Sequence, residues 1–566
     1  MKNIGNTAMD KSYNIVRSLA LSALFTVFFF IVTQKVYRLP FSYGDDHPIL
    51  AMLHPEKVSN AYKAAFYGHE TDLKGFVLSD IHIGRFRPLS RSYDKLLCII
   101  CGDNTHLFRL SNLVILFLSA FFLLCIFTCF EVDGFSALIV LAVYVFGRNN
   151  ETWWTLIPPP QNIGEMFLLA GTYIWLRYRE KGITGFYVLP AFLFFLACIS
   201  KESFIFCIPV LLITDYFFFN QPRKLFTKEY VFSSLAYILP FTCLLTVIIH
   251  IKKIYSYSYP ESVFSIAGYN TFQFIGAAGF FLAPLVLLVM KRKTLELSFS
   301  VKIFFVFAVW GIIQLILLKG IKLDDQHHYL IPWLIYPFIL TAIALSEIRK
   351  VSNNWFTTML VAYGIATLLF VKNTYANTSS YTAQLQAYYN MIDTIKKDTA
   401  ASSVVYLGDN ACEGDWINGT RVIMDNKGIK KRLYFATTAA CIPEWQMEYA
   451  AHSAQNAFKH MPLDSAFYPD GKWVILVENP AKNGVINDNM VFYKRKDSSF
   501  VKINGREHYI PGRYQYFSVP YPGRSIGDML KSNFNAENRK GFYGIKLYDL
   551  RMEIEEERFL HHDGGC

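Results

Sequence analysis

Before about residue 372 the chain is built from apolar runs of roughly 18 to 24 residues, each long enough as a helix to cross ~30 Å of hydrocarbon. About eleven such runs fall near residues 15–36, 107–130, 133–147, 161–177, 184–199, 203–219, 230–250, 269–290, 300–318, 328–346 and 354–372. The expected fold is therefore a multi-span α-helical membrane domain over residues 1–372. With 53% of its 566 residues hydrophobic, 17% aromatic and a mean hydropathy of +0.25, the chain is neither an ordinary soluble enzyme nor a disordered one. The first run continues into loop sequence without a small-residue cleavage site, so it is expected to stay as an anchor.

Lys and Arg in short loops set the expected orientation. With the N-terminus inside, fourteen fall on inner segments and six on short outer loops. The net charge of +11 is a matter of loop topology, and without a basic stripe interleaved with aromatics no nucleic-acid partner is expected. The inner turn from Glu131 to Asp133 carries no basic residue and is the weakest point of the map. Four segments then face outward: the long first loop 37–106, residues 149–162, the turn 200–203 and the loop 319–329. Within the first loop, segments 48–68 and 88–102 have helical spacing with one apolar side and are expected to lie along the membrane surface.

An odd number of spans also places the tail, 373–566, outside. Its composition is polar and rich in Asn and Gly, with strand-like runs at 402–407, 472–477 and 544–550, and a helical stretch at 381–397 links it to the last span. This reads as a soluble extracytoplasmic α/β domain, long enough for a core of its own. Cys98 and Cys101 form a C-x-x-C inside an apolar stretch, where packing explains them better than redox or metal chemistry. Cys412 and Cys441 are candidates for a disulfide if the tail lies in an oxidising compartment.

Four polar constellations fall on the outward segments. Asp45 and Asp46 stand just past the first span, where a carboxylate is costly to desolvate and is suited to general-base work or to holding a divalent cation. Arg85, Arg87 and Arg91 carry guanidinium groups that grip phosphate bidentately, or else meet anionic lipid headgroups. Lys201 and Glu202 occupy a turn so short that both must lie at the surface or in a cavity between helices. His327, His328 and Tyr329 follow Asp324 and Asp325 at the start of a late span, a grouping that suits a phosphate or substrate contact better than a closed metal site.

The series formed by the acidic pair, the Arg87-Pro88-Leu89 segment, His106 and Asn112, the Lys201-Glu202 turn and the His328-Tyr329 entry resembles the GT-C superfamily of integral-membrane glycosyltransferases. It is similar in particular to the multi-span O-mannosyltransferases with tetratricopeptide repeats and to their bacterial relatives. The likeness covers roughly residues 15–350, and its specificity lies in the order of the motifs. The chain departs from that pattern in having His328 where relatives have arginine, a looser His106 to Asn112 spacing, and no repeats in the tail.

The resemblance implies a polyprenyl-phosphate-linked sugar as donor and inverting transfer on the outer face. Asp45 would be the base on the acceptor hydroxyl, and Asp46 would support it or hold a divalent cation; no other cofactor is implied. Arg85, Arg87, Lys201, Glu202, His327, His328 and Tyr329 would form the donor-phosphate site, with Arg87, Lys201 and His328 neutralising the leaving phosphate. The acceptor stays open among protein, lipid and glycan. The expected location is a bacterial inner membrane, with a cytoplasmic N-terminus and a periplasmic tail. A transporter or flippase, or a glycan polymerase of another fold, remains the alternative. A transporter would show mid-span charges and inverted halves, whereas a polymerase would not need an acidic pair beside the first span.

Overall fold

The computed structural model describes residues 4–42, 46–57, 73–82, 85–147, 151–154, 160–180, 188–208, 228–254, 283, 286, 331–397, 399, 403–407, 414–436, 472–478, 485–487, 490–495, 498–503, 506–510, 514–520 and 542–549. Its helices begin with α1 (Ile4–Thr33), α2 (His47–Leu53), α3 (Leu73–His82), α4 (Pro88–Cys101), α5 (Thr105–Cys129), α6 (Gly134–Phe146) and α7 (Glu151–Trp154). They continue with α8 (Pro160–Glu180), α9 (Val188–Ser200), α10 (Lys228–Ile254), α11 (Ile331–Val351), α12 (Asn353–Lys397) and α13 (Gly414–Asn426).

Among the described residues three helices are long and apolar enough to cross a membrane: Asn14–Arg38, Thr105–Cys129 and Asn353–Ser379. They coincide with expected spans near 15–36, 107–130 and 354–372, and this largely helical architecture is compatible with a helical membrane protein. Leu24, Val27, Ile31, Val361, Ile365 and Leu368 are exposed on α1 and α12, as lipid-facing side chains would be. The expected spans near 269–290 and 300–318, and most of that near 203–219, lie outside the described residues. Helix α6 has 13 residues; at 1.5 Å per residue it covers only about 20 Å.

The chain forms two compact units. The first comprises Met1–Tyr37, Asp80–Leu96 and His106–Tyr375. In it Arg17 packs against Gly134 while Phe28 and Phe29 meet Phe146, so α1 and α6 run parallel. Tyr144 meets Phe338 edge-on while Arg349 pairs with Asp133 at 2.8 Å, so α11 runs antiparallel to α6. The ring of Phe204 lies over Gly164 and that of Phe194 over Gly171, which sets α8 and α9 antiparallel; a Cβ at Gly164 would stand 2.3 Å from Phe204.

One end of this unit thus gathers Arg17, Asp133 and Arg349, and the other carries Phe146 and the first turns of α8. Asp133 caps α6 by accepting from the backbone N–H groups of Phe135 and Ser136, and its own N–H donates to Ser346 Oγ. The turn from Glu131 to Asp133, which carries no basic residue of its own, therefore receives its counter-charge from α11, over 200 residues away.

The second unit comprises Arg38–Ser79, Leu97–Thr105 and Ala376–Cys566. Residues from both ends of the segment 37–106 therefore cluster with the tail, where the sequence reading divides the chain once, at 372. Helix α12 runs for 45 residues and includes both the expected span at 354–372 and the linking stretch at 381–397, with no Gly or Pro to interrupt it after Gly364. Its last turns bury Leu385, Tyr388, Ile392 and Ile395, and Tyr389 Oη donates to the Phe41 carbonyl at 2.7 Å.

Strands β1 (Ser403–Leu407), β2 (Arg432–Ala436) and β3 (Lys472–Glu478) pair in parallel, with α13 between β1 and β2 as a βαβ crossover. Gly428, at φ +70, stops α13, a conformation that favours glycine. The small strand β4 (Val485–Asn487) starts an antiparallel sheet completed by β5 (Met490–Arg495), β6 (Ser498–Ile503) and β7 (Arg506–Ile510). Strands β8 (Tyr514–Pro520) and β9 (Phe542–Asp549) extend the first sheet antiparallel, in the order β2-β1-β3-β9-β8.

Candidate active site

The first unit brings together two of the segments singled out by sequence. Pro88 opens α4, where its fixed φ suits a first helical position and its missing N–H leaves no donor stranded. Arg87, just before it, is held at the helix mouth, its carbonyl accepting from Arg91 N–H at 3.2 Å. Helix α9 ends at Ser200, Lys201 turns extended at φ −154 and ψ 128, and a 3-10 turn runs from Glu202 to Phe206. That sharp change of direction puts Lys201 and Glu202 inward, and Lys201 is only 2% exposed.

Arg87 and Glu202 form a fork, Nε to Oε2 at 3.1 Å and Nη2 to Oε1 at 3.2 Å. Lys201 lies beside both and within electrostatic reach of Arg85, whose backbone N–H donates to the Asp80 carbonyl at 2.8 Å. Burial by itself would raise the Glu202 carboxyl. The Arg87 charge and its hydrogen bonds outweigh this and hold the group down at about 2. Burial pushes the Lys201 amine well below its ordinary range, and Arg87 adds to that while Glu202 opposes it. Buried Arg87 and Lys201 flank the Glu202 carboxylate, and half-buried Arg85 is within electrostatic reach of Lys201, a grouping of cationic residue types suited to an anion.

Next to this cluster stands a second one that sequence reasoning missed. Arg91 grips Asp80 through Nε at 2.6 Å and Nη2 at 2.9 Å, and reaches Asp94 at 3.3 Å. Both aspartates are buried. Burial raises the Asp94 carboxyl to about 7 even against the Arg91 charge, with Asp80 adding to the rise. The i,i+3 spacing of Arg91 and Asp94 was visible in the sequence; the partnership with Asp80 was not. Arg91, expected among the phosphate-gripping arginines, is instead clamped by carboxylates.

Asp46 belongs to the second unit, where it is 4% exposed and its Oδ2 accepts the Ser42 N–H at 2.7 Å. It stands before the short helix α2 without capping it. Asp45, His327, His328 and Tyr329 lie outside the described residues, as do Asp324, Asp325, Cys412 and Cys441. Cys98 and Cys101 are buried and form no disulfide among the described residues, in keeping with a packing role. Among the described residues no group of three His, Cys, Asp or Glu side chains is placed to hold a metal ion. Glu165, buried in α8, is a further carboxylate that the sequence reading passed over; its signal was a lone acid inside an apolar run. No protein-family model matches the chain, and a search of curated proteins finds no match.

Proposed function

We propose that the protein is a GT-C-type glycosyltransferase that moves a sugar from a polyprenyl-phosphate donor to a hydroxyl acceptor on the outer membrane face, with inversion. The observation that carries this reading is the buried cluster of Arg87, Lys201 and Glu202, drawn from segments 115 residues apart. Two of the five N–H donors of Arg87 go to Glu202 among the described residues, and in this reading the others meet the anion. Glu202 fixes the plane of the guanidinium, and the Lys201 amine beside it supplies a second nitrogen donor.

In this reading the acceptor oxygen attacks the anomeric carbon from the face opposite the phosphate. The bond from that carbon to the phosphate oxygen breaks with its electron pair on the phosphate. Arg87 and Lys201, with His328, stabilise the charge that develops there, an effect that is commonly a large part of such a barrier. Asp45 takes the acceptor proton and Asp46 supports it or holds a divalent cation. The same reading includes about eleven spans, a cytoplasmic N-terminus, an extracytoplasmic α/β domain over 373–566, and a bacterial inner membrane. The acceptor is a protein, lipid or glycan.

The test uses purified full-length protein in lipid nanodiscs, radiolabelled polyprenyl-phosphate hexoses and a membrane acceptor fraction. Label should transfer, and Asp45→Asn should abolish transfer while farnesyl phosphate still binds. Arg87→Ala should weaken farnesyl phosphate binding about tenfold or more, the worth of a charge-assisted hydrogen bond. Affinity that is unchanged in both Arg87→Ala and Lys201→Met would sink the proposal.

A further inference from the structure

The end of the first unit where α1 enters its span and α11 finishes carries two guanidinium groups that the phosphate cluster does not use. Arg17, on α1, is exposed, and its Nη2 lies against Gly134 in the space that a Cβ would fill. Arg349, on α11, is 40% exposed and donates to Asp133 Oδ1 at 2.8 Å. Its guanidinium also packs on the rings of Phe135, at 5.2 Å, and Phe356, at 5.4 Å. Asp133 and Gly134 are adjacent, with Cα atoms about 3.8 Å apart, so both cations border one short stretch of chain.

The counter-charge in that stretch serves only one of them. A carboxylate has about four acceptor sites. Those of Asp133 are taken by the Phe135 and Ser136 N–H groups and Arg349 on Oδ1, and by the Ser136 hydroxyl on Oδ2. Glu347 is paired with Lys350 at 2.7 Å. Glu131, exposed in the same turn, forms no ion pair among the described residues, and Arg17 makes neither a hydrogen bond nor an ion pair among them.

Exposed apolar side chains surround the two arginines. Ile15, Val16 and Leu19 flank Arg17, Phe135 lies under Arg349, and Trp355 opens α12 beside Phe356. Exposed Trp and Arg at the ends of apolar helices are the pattern of a membrane–water interface. Such surroundings suit a ligand that brings acyl chains together with its phosphate. From Arg17 to Phe28, which meets Phe146, α1 rises about 17 Å, close to half of a ~30 Å hydrocarbon core. Leu24 and Val27 are exposed along that stretch, where a chain would lie. A choline or ethanolamine headgroup would bring an ammonium toward two guanidinium groups, so charge favours a lipid of net negative charge.

We propose that Arg17 and Arg349 hold the phosphate of an anionic phospholipid of the phosphatidylglycerol type in the surrounding leaflet. The site does not depend on the glycosyltransferase reading. Full-length protein in detergent micelles is titrated with dioleoyl phosphatidylglycerol and dioleoyl phosphatidylcholine, and bound lipid is counted by native mass spectrometry. Wild type should bind one phosphatidylglycerol about tenfold more tightly than phosphatidylcholine, and excess inorganic phosphate should not displace it. Arg17→Gln and Arg349→Gln should each lower the preference about fivefold, the worth of one arginine at a lipid surface. Arg17→Gln breaks no ion pair among the described residues, so it tests the site without disturbing the fold. Gly134→Ala keeps both charges but displaces Arg17 Nη2, and should lower the preference as well. Lys350→Gln removes a neighbouring exposed charge and should leave the preference within about twofold. The proposal is overturned if wild type binds the two lipids alike, if Arg17→Gln and Arg349→Gln both keep the preference, if Lys350→Gln lowers it as far as they do, or if inorganic phosphate displaces the lipid.

Discussion

The fork between Arg87 and Glu202 is the interaction whose removal is most informative. Glu202 sits at about 2 against an ordinary 4.5, about 2.5 units of preference for the charged form in the folded protein. At 1.36 kcal/mol per unit this is about 3 kcal/mol, within the range of roughly 3–5 kcal/mol for removing one partner of a buried pair and well above the 0–1 kcal/mol of an exposed one. The folded carboxyl titrates below the unfolded one, so its contribution is present above pH ~4.5 and is lost as pH falls from there toward ~2. A double-mutant cycle with Arg87→Met, Glu202→Gln and the double variant isolates the pair from each residue's other contacts. Denaturant unfolding in micelles at pH 7 should give a coupling of about 3 kcal/mol that shrinks between pH 4.5 and 3. A coupling below about 0.5 kcal/mol at pH 7 would show that the fork is solvated, and the proposed anion site would lose its basis.

Lys201→Met should raise thermal stability, because a buried amine held below its ordinary range disfavours folding at neutral pH, while it weakens farnesyl phosphate binding about tenfold. A variant that loses stability instead would mark Lys201 as structural. Asp94 at about 7 titrates above its unfolded value, so stability should fall as pH rises from about 4 through 7 by up to roughly 4 kcal/mol. Asp94→Asn should remove that slope in pH-dependent melting curves and be the more stable protein at pH 8. Gly164→Ala places a methyl 2.3 Å from the Phe204 ring. It should cost roughly 1–3 kcal/mol and weaken farnesyl phosphate binding by shifting the Lys201 turn; Phe204→Leu in the same chain should restore part of both.

Much of the helical framework was legible in the residues themselves. Spans near 15–36, 107–130 and 354–372 follow from hydropathy summed over a short window, and the start of α4 follows from Pro88. The types of residue suited to an anion site, Arg87 and Lys201, were visible for the same local reason. The continuity of α12 was less legible, because hydropathy drops after residue 372 and the Asn-, Thr- and Ser-rich stretch 373–382 is a weak helix former, although no Gly or Pro breaks the backbone there. A polarity signal and a backbone signal end at different places there.

Local periodicity and composition determine which segments enter a bilayer and which side chains carry charge, since both are sums over neighbours in the chain. Only the tertiary structure decided that Arg87 meets Glu202, that Arg91 is spent on Asp80 and Asp94, and that Arg349 supplies the charge missing from the turn at Asp133. These pairs depend on which helices lie side by side and in which direction. Packing of buried surfaces across tens to hundreds of residues sets that, and no window along the chain contains it.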